Sequence, residues 1–287
     1  MKKKTILMTV LLALLFILLT KTGFLQEKEI DKKDLAYWQY ENEIIKKANT
    51  FSLEGKNTCW VMVHGYTSTP DELREVAIAI NSQFNDSVFV PLLEGHGRVP
   101  SAILNYSVNQ WYNQIEQTIS SKNCTYLLGS SMGASLILKY AIEHPVKGIV
   151  LAGIPLGMRS ALANPSISFL IPPLLNYLKR NHPGESIHDP TGRQKHITTF
   201  SFPLRPMLEL QEFNKKILEN LETLNSTVLF LFGKDDTSSD INEAKKAFSR
   251  INSKKELIIL KGSHLIFRDY EKNKAIEETI KFRNTTT

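Results

Sequence analysis

Segment Gly129–Gly133 holds a serine between two glycines, in a setting that can make its hydroxyl group reactive. The apolar run 126–128 before it is typical of a buried strand, and the apolar run 134–140 after it is typical of a helix. A sharp strand-to-helix turn strains the middle residue and needs glycine on both sides, where a Cβ atom would clash. In this context the pattern G-x-S-x-G predicts a nucleophile elbow at Ser131, rather than a plain tight turn.

A serine hydroxyl needs a base, and the base needs a carboxylate that orients it. In the fold that uses this elbow, the acid and then the histidine follow the serine along the chain. The apolar run 227–232 predicts a late strand, which Asp235 and Asp236 follow. Of the seven histidines, only His264 lies beyond this point. We therefore expect His264 to be the base, and the loop spacing Gly-x-x-Asp favours Asp236 over Asp235 as the acid.

Backbone N–H groups near the serine are expected to stabilise the negative charge that develops on the substrate oxygen. The apolar run 60–63 predicts a buried central strand, and the segment 64–66 closes it. N–H groups just after such a strand can point at that oxygen, and Met132, next to the nucleophile, supplies a second donor. The side chain of His64 is expected to shape this loop rather than to react.

Together these motifs resemble those of α/β-hydrolases of the carboxylesterase and monoacylglycerol-lipase type, in the serine aminopeptidase-like branch. The similarity extends over 59–282 and is loose between about 156 and 225. The segments that carry it are His64–Tyr66, Pro91–Gly97, Trp111, Gly129–Gly133, Gly233–Asp236 and Gly262–His264.

The resemblance implies a role for five residues. Ser131 is the implied nucleophile, and Asp236 and His264 are its partners in a catalytic triad. The backbone N–H groups of Tyr66 and Met132 are the implied oxyanion donors. The implied activity is hydrolysis of carboxylic esters, such as monoacylglycerol or other short or medium acyl esters, through an acyl-enzyme. This chemistry requires no cofactor and no metal ion.

The order of predicted elements indicates a single α/β-hydrolase domain over residues 26–287, with 42% hydrophobic residues in the whole chain to form its core. We expect a mostly parallel sheet with helices on both faces. Alternation stops at about 156–224, where a helical cap over the serine is expected. Its apolar residues either hold an acyl chain or pack the cap onto the core; they are Ile167, Phe169, Leu170, Ile171, Leu174, Leu175 and Leu178.

Two local patterns predict helices near the start of this domain. Residues 34–49 are expected to form a helix that links the N-terminal segment to the domain. Thr69 and Glu72 have the spacing of a capping box, with Pro70 at the first position of the following helix.

Residues 1–25 have the pattern of a targeting segment, because three lysines precede an apolar run over 6–19. At about 1.5 Å per residue this run spans about 21 Å, and extension over 5–25 gives about 31 Å, enough to cross the bilayer core. No A-x-A-like cleavage site follows, which favours an uncleaved membrane anchor over a cleaved signal peptide. In either case we expect the catalytic domain to lie outside the cytoplasm.

Charge and residue spacing argue against nucleic-acid binding and against a metal site. Lys2, Lys3 and Lys4 supply half of the net charge of +6, and no continuous basic stripe with interleaved aromatic residues favours nucleic-acid binding. Histidine and acidic residues in the segment 182–196 are too irregularly spaced to favour a metal site.

The two cysteines, Cys59 and Cys124, begin strands that are neighbours in this fold. A disulfide between them is possible in an oxidising compartment, but two buried free thiols are the favoured state.

Two alternative functions remain open. An acyltransferase would use the same triad and pass the acyl group to an alcohol or amine instead of water. A surface binding module on a hydrolase scaffold would have no catalytic activity.

Overall fold

The computed structural model describes residues 2–157 and 177–286 of the chain. Its strands are Tyr40–Glu41 (β1), Ile44–Ile45 (β2), Phe51–Leu53 (β3), Cys59–Val63 (β4), Ser87–Val90 (β5), Tyr126–Ser130 (β6), Gly148–Ala152 (β7), Tyr177–Lys179 (β8), Ser201–Pro203 (β9), Thr227–Gly233 (β10) and Lys255–Leu260 (β11). Its α-helices are Lys2–Tyr37 (α1), Arg74–Phe84 (α2), Pro100–Ile103 (α3), Val108–Lys122 (α4), Met132–Glu143 (α5), Pro190–Lys195 (α6), Arg205–Glu219 (α7), Ile241–Arg250 (α8) and Lys272–Thr285 (α9).

The centre of the fold is a seven-stranded sheet in the order β11-β10-β7-β6-β4-β5-β3. Every neighbouring pair is parallel except β3 and β5, which are antiparallel. The strands β4, β6 and β7 are apolar and almost completely buried, as expected for a parallel sheet that is covered on both faces. The prediction of an α/β-hydrolase fold with a mostly parallel sheet is confirmed.

Side chains that alternate along each strand build two hydrophobic cores, one on each face of the sheet. In β10, Phe230 and Phe232 point to the core that α4, α5, α7 and α8 cover, while Leu229 and Leu231 point to the core that α2 and α9 cover. This arrangement fixes the sheet between two helical layers and leaves the carboxyl ends of its strands open for a site.

The described part of the predicted cap, residues 177–224, contains α6 and α7 and also a two-stranded antiparallel sheet of β8 and β9. Of the apolar residues predicted for the cap, only Leu178 is in this part, and 40% of its surface is exposed. The other six, from Ile167 to Leu175, lie outside the described residues.

The N-terminal segment forms α1, whose described apolar side chains between Ile6 and Ile17 have about half or more of their surface exposed. Within the described residues, no helix combines the length and the apolar character that crossing a membrane requires. The N-terminal membrane helix therefore stays a prediction.

The prediction of a helix over 34–49 is wrong beyond Tyr37. The chain forms the hairpin of β1 and β2 instead, with Tyr40 opposite Ile45. The two residues of its turn, Asn42 and Glu43, have φ values of 51° and 64°, the left-handed conformation that a tight hairpin turn requires and a helix excludes.

Cys59 and Cys124 form a disulfide, so the preference for free thiols is wrong. The register of β4 against β6 pairs Trp60 with Tyr126. This register leaves the Cα atoms of the two cysteines 4.6 Å apart, within the range that disulfides span.

Replacing both cysteines, as Cys59→Ala with Cys124→Ala, should lower the free energy of unfolding by about 2–4 kcal/mol. The disulfide closes a loop with a sequence separation of 65, and breaking it gives the unfolded chain more conformational freedom. Urea unfolding with and without a reductant measures the effect. Reductant should shift the midpoint of the native chain towards that of the double variant, which should not respond. A native midpoint that reductant does not change would contradict the prediction.

Candidate active site

The serine of the predicted elbow lies between the end of β6 and the first residue of α5. Ser131 has φ 52° and ψ −118°, a strained conformation for a residue with a side chain. A Cβ atom at Gly129 would lie 2.4 Å from the backbone nitrogen of Ala134, and one at Gly133 would lie 2.2 Å from the carbonyl oxygen of Val63. Only glycine fits at these two positions, which explains the pattern that surrounds the serine.

The structure brings Ser131, His264 and Asp236 into one chain of hydrogen bonds. His264 Nε2 lies 2.7 Å from Ser131 Oγ, and His264 Nδ1 lies 2.8 Å from Asp236 Oδ2. The other carboxylate oxygen, Asp236 Oδ1, accepts hydrogen bonds from the backbone N–H groups of Ser238 and Ser239. Asp235, the alternative acid, is exposed. Of the two predicted candidates, Asp236 is the carboxylate that contacts the histidine.

Opposite effects act on the pKa of each member of the His264–Asp236 pair. Burial alone lowers the pKa of His264, but the charge and hydrogen bond of Asp236, with a contribution from Glu72, raise it above its ordinary value. Burial raises the pKa of Asp236, but His264 and two backbone N–H groups hold it below its ordinary value. An ionised Asp236 accepts a hydrogen bond from the N–H at Nδ1 of His264 and so keeps the proton on that nitrogen. This leaves Nε2 free to accept the proton of the Ser131 hydroxyl.

Both predicted oxyanion donors adjoin the serine. Gly65 packs so closely on the elbow that a Cβ atom there would lie 3.3 Å from Ser131 Cβ, and the next residue, Tyr66, lines the same cavity as Ser131. Met132 is the first residue of α5, where a backbone N–H has no carbonyl one turn earlier to bind. The buried side chain of His64 connects the segment 64–66 to the segment after β5. Its Nδ1 donates a hydrogen bond to Gly65 O, and its Nε2 accepts one from the N–H of Leu93.

Glu72 belongs to this site, although the sequence pattern placed it in a capping box. That capping box is absent, since Thr69 makes no side-chain cap bond and the helix begins with a 3₁₀ turn, Pro70–Leu73. Glu72 is only 2% exposed, and its Oε2 accepts a hydrogen bond from the N–H of Gly65. Burial raises its pKa, but His196 and nearby hydrogen-bond donors reverse the shift, so the pKa of Glu72 is lowered.

A cavity of about 440 Å³ opens at Ser131 between the sheet and the cap. Arg180, Glu185 and His196 give one part of its wall a polar and charged lining. These three cap residues were not predicted as site residues, because no spacing in the sequence marks them. Among the described residues, the apolar part of the wall includes Pro155, Leu178, Phe202, Met207, Leu210 and Leu265. The cavity therefore offers an apolar surface and a polar surface to a substrate.

The sequence profile of the family described as "Serine aminopeptidase, S33" (Hydrolase_4) matches residues 56–271. This chain belongs to that family. The matched range includes all of the predicted site residues. The resemblance to α/β-hydrolases of the carboxylesterase and monoacylglycerol-lipase type is confirmed.

Two relatives with assigned activities are a lipase and an esterase. The chain is 24% identical over 246 residues to a thermostable monoacylglycerol lipase of Bacillus sp. (strain H-257), covering 83% of this chain and 95% of the relative. It is 19% identical over 240 residues to a carboxylesterase of Bacillus subtilis (strain 168), covering 81% and 94%. The prediction of a carboxylic-ester hydrolase is confirmed at the level of the enzyme class.

A solved structure from work on the metagenome-derived lipolytic enzymes LipS and LipT has the same fold. Its TM-score is 0.74 at 20% sequence identity, with 84% of this chain and 99% of the other covered.

The substitution Glu72→Gln should move the acidic limb of the pH profile of kcat/KM for a p-nitrophenyl ester to lower pH. His264 must be neutral to accept a proton, and the negative charge of Glu72 favours the protonated form of His264. An uncharged side chain of the same shape removes that effect and lowers the pKa of His264. Glu75→Gln, which removes a half-buried carboxylate of α2 that pairs with Lys272, is the control and should leave the limb in place. An unmoved limb in Glu72→Gln, or one that moves up, would contradict this assignment.

Proposed function

We propose that this protein is a serine hydrolase that cleaves carboxylic esters through an acyl-enzyme intermediate. The hydrogen-bonded chain from Asp236 through His264 to Ser131 carries this proposal. Ser131 attacks the ester carbonyl while its proton passes to His264 Nε2. The N–H groups of Tyr66 and Met132 stabilise the oxyanion of the tetrahedral intermediate.

Collapse of this intermediate breaks the bond to the leaving alcohol, which takes the proton from His264 Nε2. A water molecule then enters, gives a proton to His264 and attacks the acyl-enzyme. The second tetrahedral intermediate releases the carboxylic acid, and the proton returns to Ser131. Asp236 remains ionised throughout and stabilises the imidazolium form of His264. No step requires a cofactor.

Monoacylglycerols and other short or medium acyl esters are the proposed substrates. The apolar wall formed by Leu178, Phe202, Met207 and Leu210 can pack against an acyl chain. The polar wall at Arg180 and the neighbouring residues can hydrogen-bond a hydroxylated leaving group such as glycerol. The similarity to a monoacylglycerol lipase supports this substrate class.

Ser131→Ala should reduce hydrolysis of short and medium p-nitrophenyl esters by at least about a thousandfold, because it removes the nucleophile. Ser135→Ala is the matched control: this buried serine lies in α5, the helix that follows Ser131, and its hydroxyl has no partner among the described residues. A fluorophosphonate probe should label the native chain and Ser135→Ala but not Ser131→Ala.

Three outcomes would contradict this proposed function. Equal activity of the native chain and Ser131→Ala would reject the nucleophile. Absence of both hydrolysis and labelling in the native chain would favour a binding module. Transfer of most acyl groups to added glycerol or an amine, instead of water, would favour an acyltransferase.

We further propose that residues 1–25 attach the protein to a membrane, with the catalytic domain outside the cytoplasm, and cleavage and export are the alternative. The exposed apolar side chains of α1 support attachment, since contact with lipid would remove them from water. The Cys59–Cys124 disulfide supports an oxidising compartment.

In cells, the full chain should remain in the membrane fraction at high salt and should be released by detergent. Leu11→Asp with Leu15→Asp should release it, because each carboxylate at the centre of a membrane helix costs about 2.5–3.5 kcal/mol. Protease added outside sealed cells should digest the domain. A soluble chain of full length, or a domain protected from the protease, would overturn the proposal; a secreted, shortened chain would support the signal-peptide alternative.

A further inference from the structure

Thr67 follows the proposed oxyanion donor Tyr66 directly and has an unfavourable backbone conformation. Its φ of 61° lies in the left-handed region, where the Cβ atom of a β-branched residue meets the backbone. A conformation of this kind persists only where surrounding contacts hold it. The orientation of the peptide group that joins Tyr66 to Thr67 therefore depends on the contacts that Thr67 makes.

Thr67 is held by two residues of the cap. Thr198 Oγ1 donates to the carbonyl oxygen of Thr67 at 2.8 Å, and the two threonine hydroxyl groups lie 3.0 Å apart. Arg180 Nη1 donates to both hydroxyl oxygens, at 3.2 and 3.3 Å, and to the carbonyl oxygen of Thr199. Both threonines are only 2% exposed, so water does not compete freely for these hydrogen bonds.

The last turn of α1 and the next residue, Trp38, bind the backbone of the cap segment 198–200. Trp38 Nε1 donates to the carbonyl oxygen of Thr198 at 3.0 Å. The N–H of Phe200 donates to the carboxylate of Asp34, a residue with no exposed surface. Trp38 thus holds the backbone of Thr198, while the side chain of Thr198 holds Thr67.

We propose that Thr198 is a positioning residue for ester hydrolysis, which acts through Thr67 on the backbone N–H of Tyr66. This inference rests on the proposed function. An oxyanion donor is effective only about 2.7–3.1 Å from the oxygen that becomes charged. Without Thr198, the loop at Thr67 can relax and move the N–H of Tyr66 away from that oxygen. Because this interaction forms mainly in the transition state, its loss should reduce kcat more than it changes KM.

Thr198→Val removes the hydroxyl group and keeps the shape of the side chain. It should lower kcat for a p-nitrophenyl ester about tenfold to a hundredfold, less than the hundredfold to thousandfold typical of losing a donor outright, with KM changed less than about twofold. Thr198→Ser should restore kcat to within about threefold of the native chain. Thr199→Val is the matched control, because that buried hydroxyl bonds Ser201 O instead of the loop, and it should keep native kcat.

A second variant keeps the test decisive if Thr198→Val does not fold, as judged by circular dichroism. Trp38→Phe removes the N–H that holds Thr198 O and should lower kcat about twofold to fivefold, with KM unchanged. Equal kcat in Thr198→Val and Thr199→Val, or a loss confined to KM, would overturn the inference, as would native kcat in Trp38→Phe where Thr198→Val is unfolded. A native chain that hydrolyses no ester would instead reject the proposed function.

Discussion

The close contact between the elbow and strand β4 is the constraint on which the rest of the site depends. A Cβ atom at Gly133 would lie within 2.6 Å of the carbonyl oxygens of both Val63 and His64, so the helix that follows the nucleophile can approach this strand only because the residue is glycine. The strand continues directly into the loop that carries Tyr66. One backbone contact thus sets the distance between the nucleophile and the oxyanion loop, and the histidine and the acid have only to reach a position that is already fixed.

The same two strands are joined again at their other ends. Cys59 begins β4 and Cys124 lies just before β6. The disulfide between them therefore joins the amino ends of the two strands, whereas Ser131 follows the carboxyl end of β6. Between these two points, residues 60–63 of β4 pair in register with 126–129 of β6, and the side chains of 60–63 and 126–128 are buried in the two cores. Sliding of one strand along the other would break the hydrogen-bond ladder and bury the wrong side chains. The relative position of the nucleophile and the oxyanion loop is therefore held along the whole length of the strands.

Sequence alone was sufficient for the sheet, the elbow and the three residues of the hydrogen-bonded chain, because each of these depends on local patterns and on chain order. Contacts between distant segments account for what it missed. Glu72 has the spacing of a capping residue, but the N–H of Gly65 attracts its carboxylate into the core. The helix predicted over 34–49 ends at Tyr37, because the chain beyond it forms the hairpin that turns at Asn42. The buried Asp34 binds the N–H of Phe200 in the cap, a contact between distant segments. Whether Cys59 and Cys124 can form a disulfide depends on the register of β4 against β6. The spacing of the cysteines in the sequence leaves this register uncertain by one or two residues.

Two neighbouring carboxylates make His264 the histidine at this site that can gain a proton during the reaction. His64 and His196 are also buried beside the cavity, and burial lowers the pKa of each to about 4, so both are neutral near pH 7. Asp236 and Glu72 reverse the same effect at His264. A second imidazolium nearby would oppose the positive charge that forms on His264 as Ser131 loses its proton, because unscreened charges repel strongly in a buried site. Two neutral histidines shape the site, two carboxylates support the third, and this division of roles follows from where each side chain is buried and what it contacts.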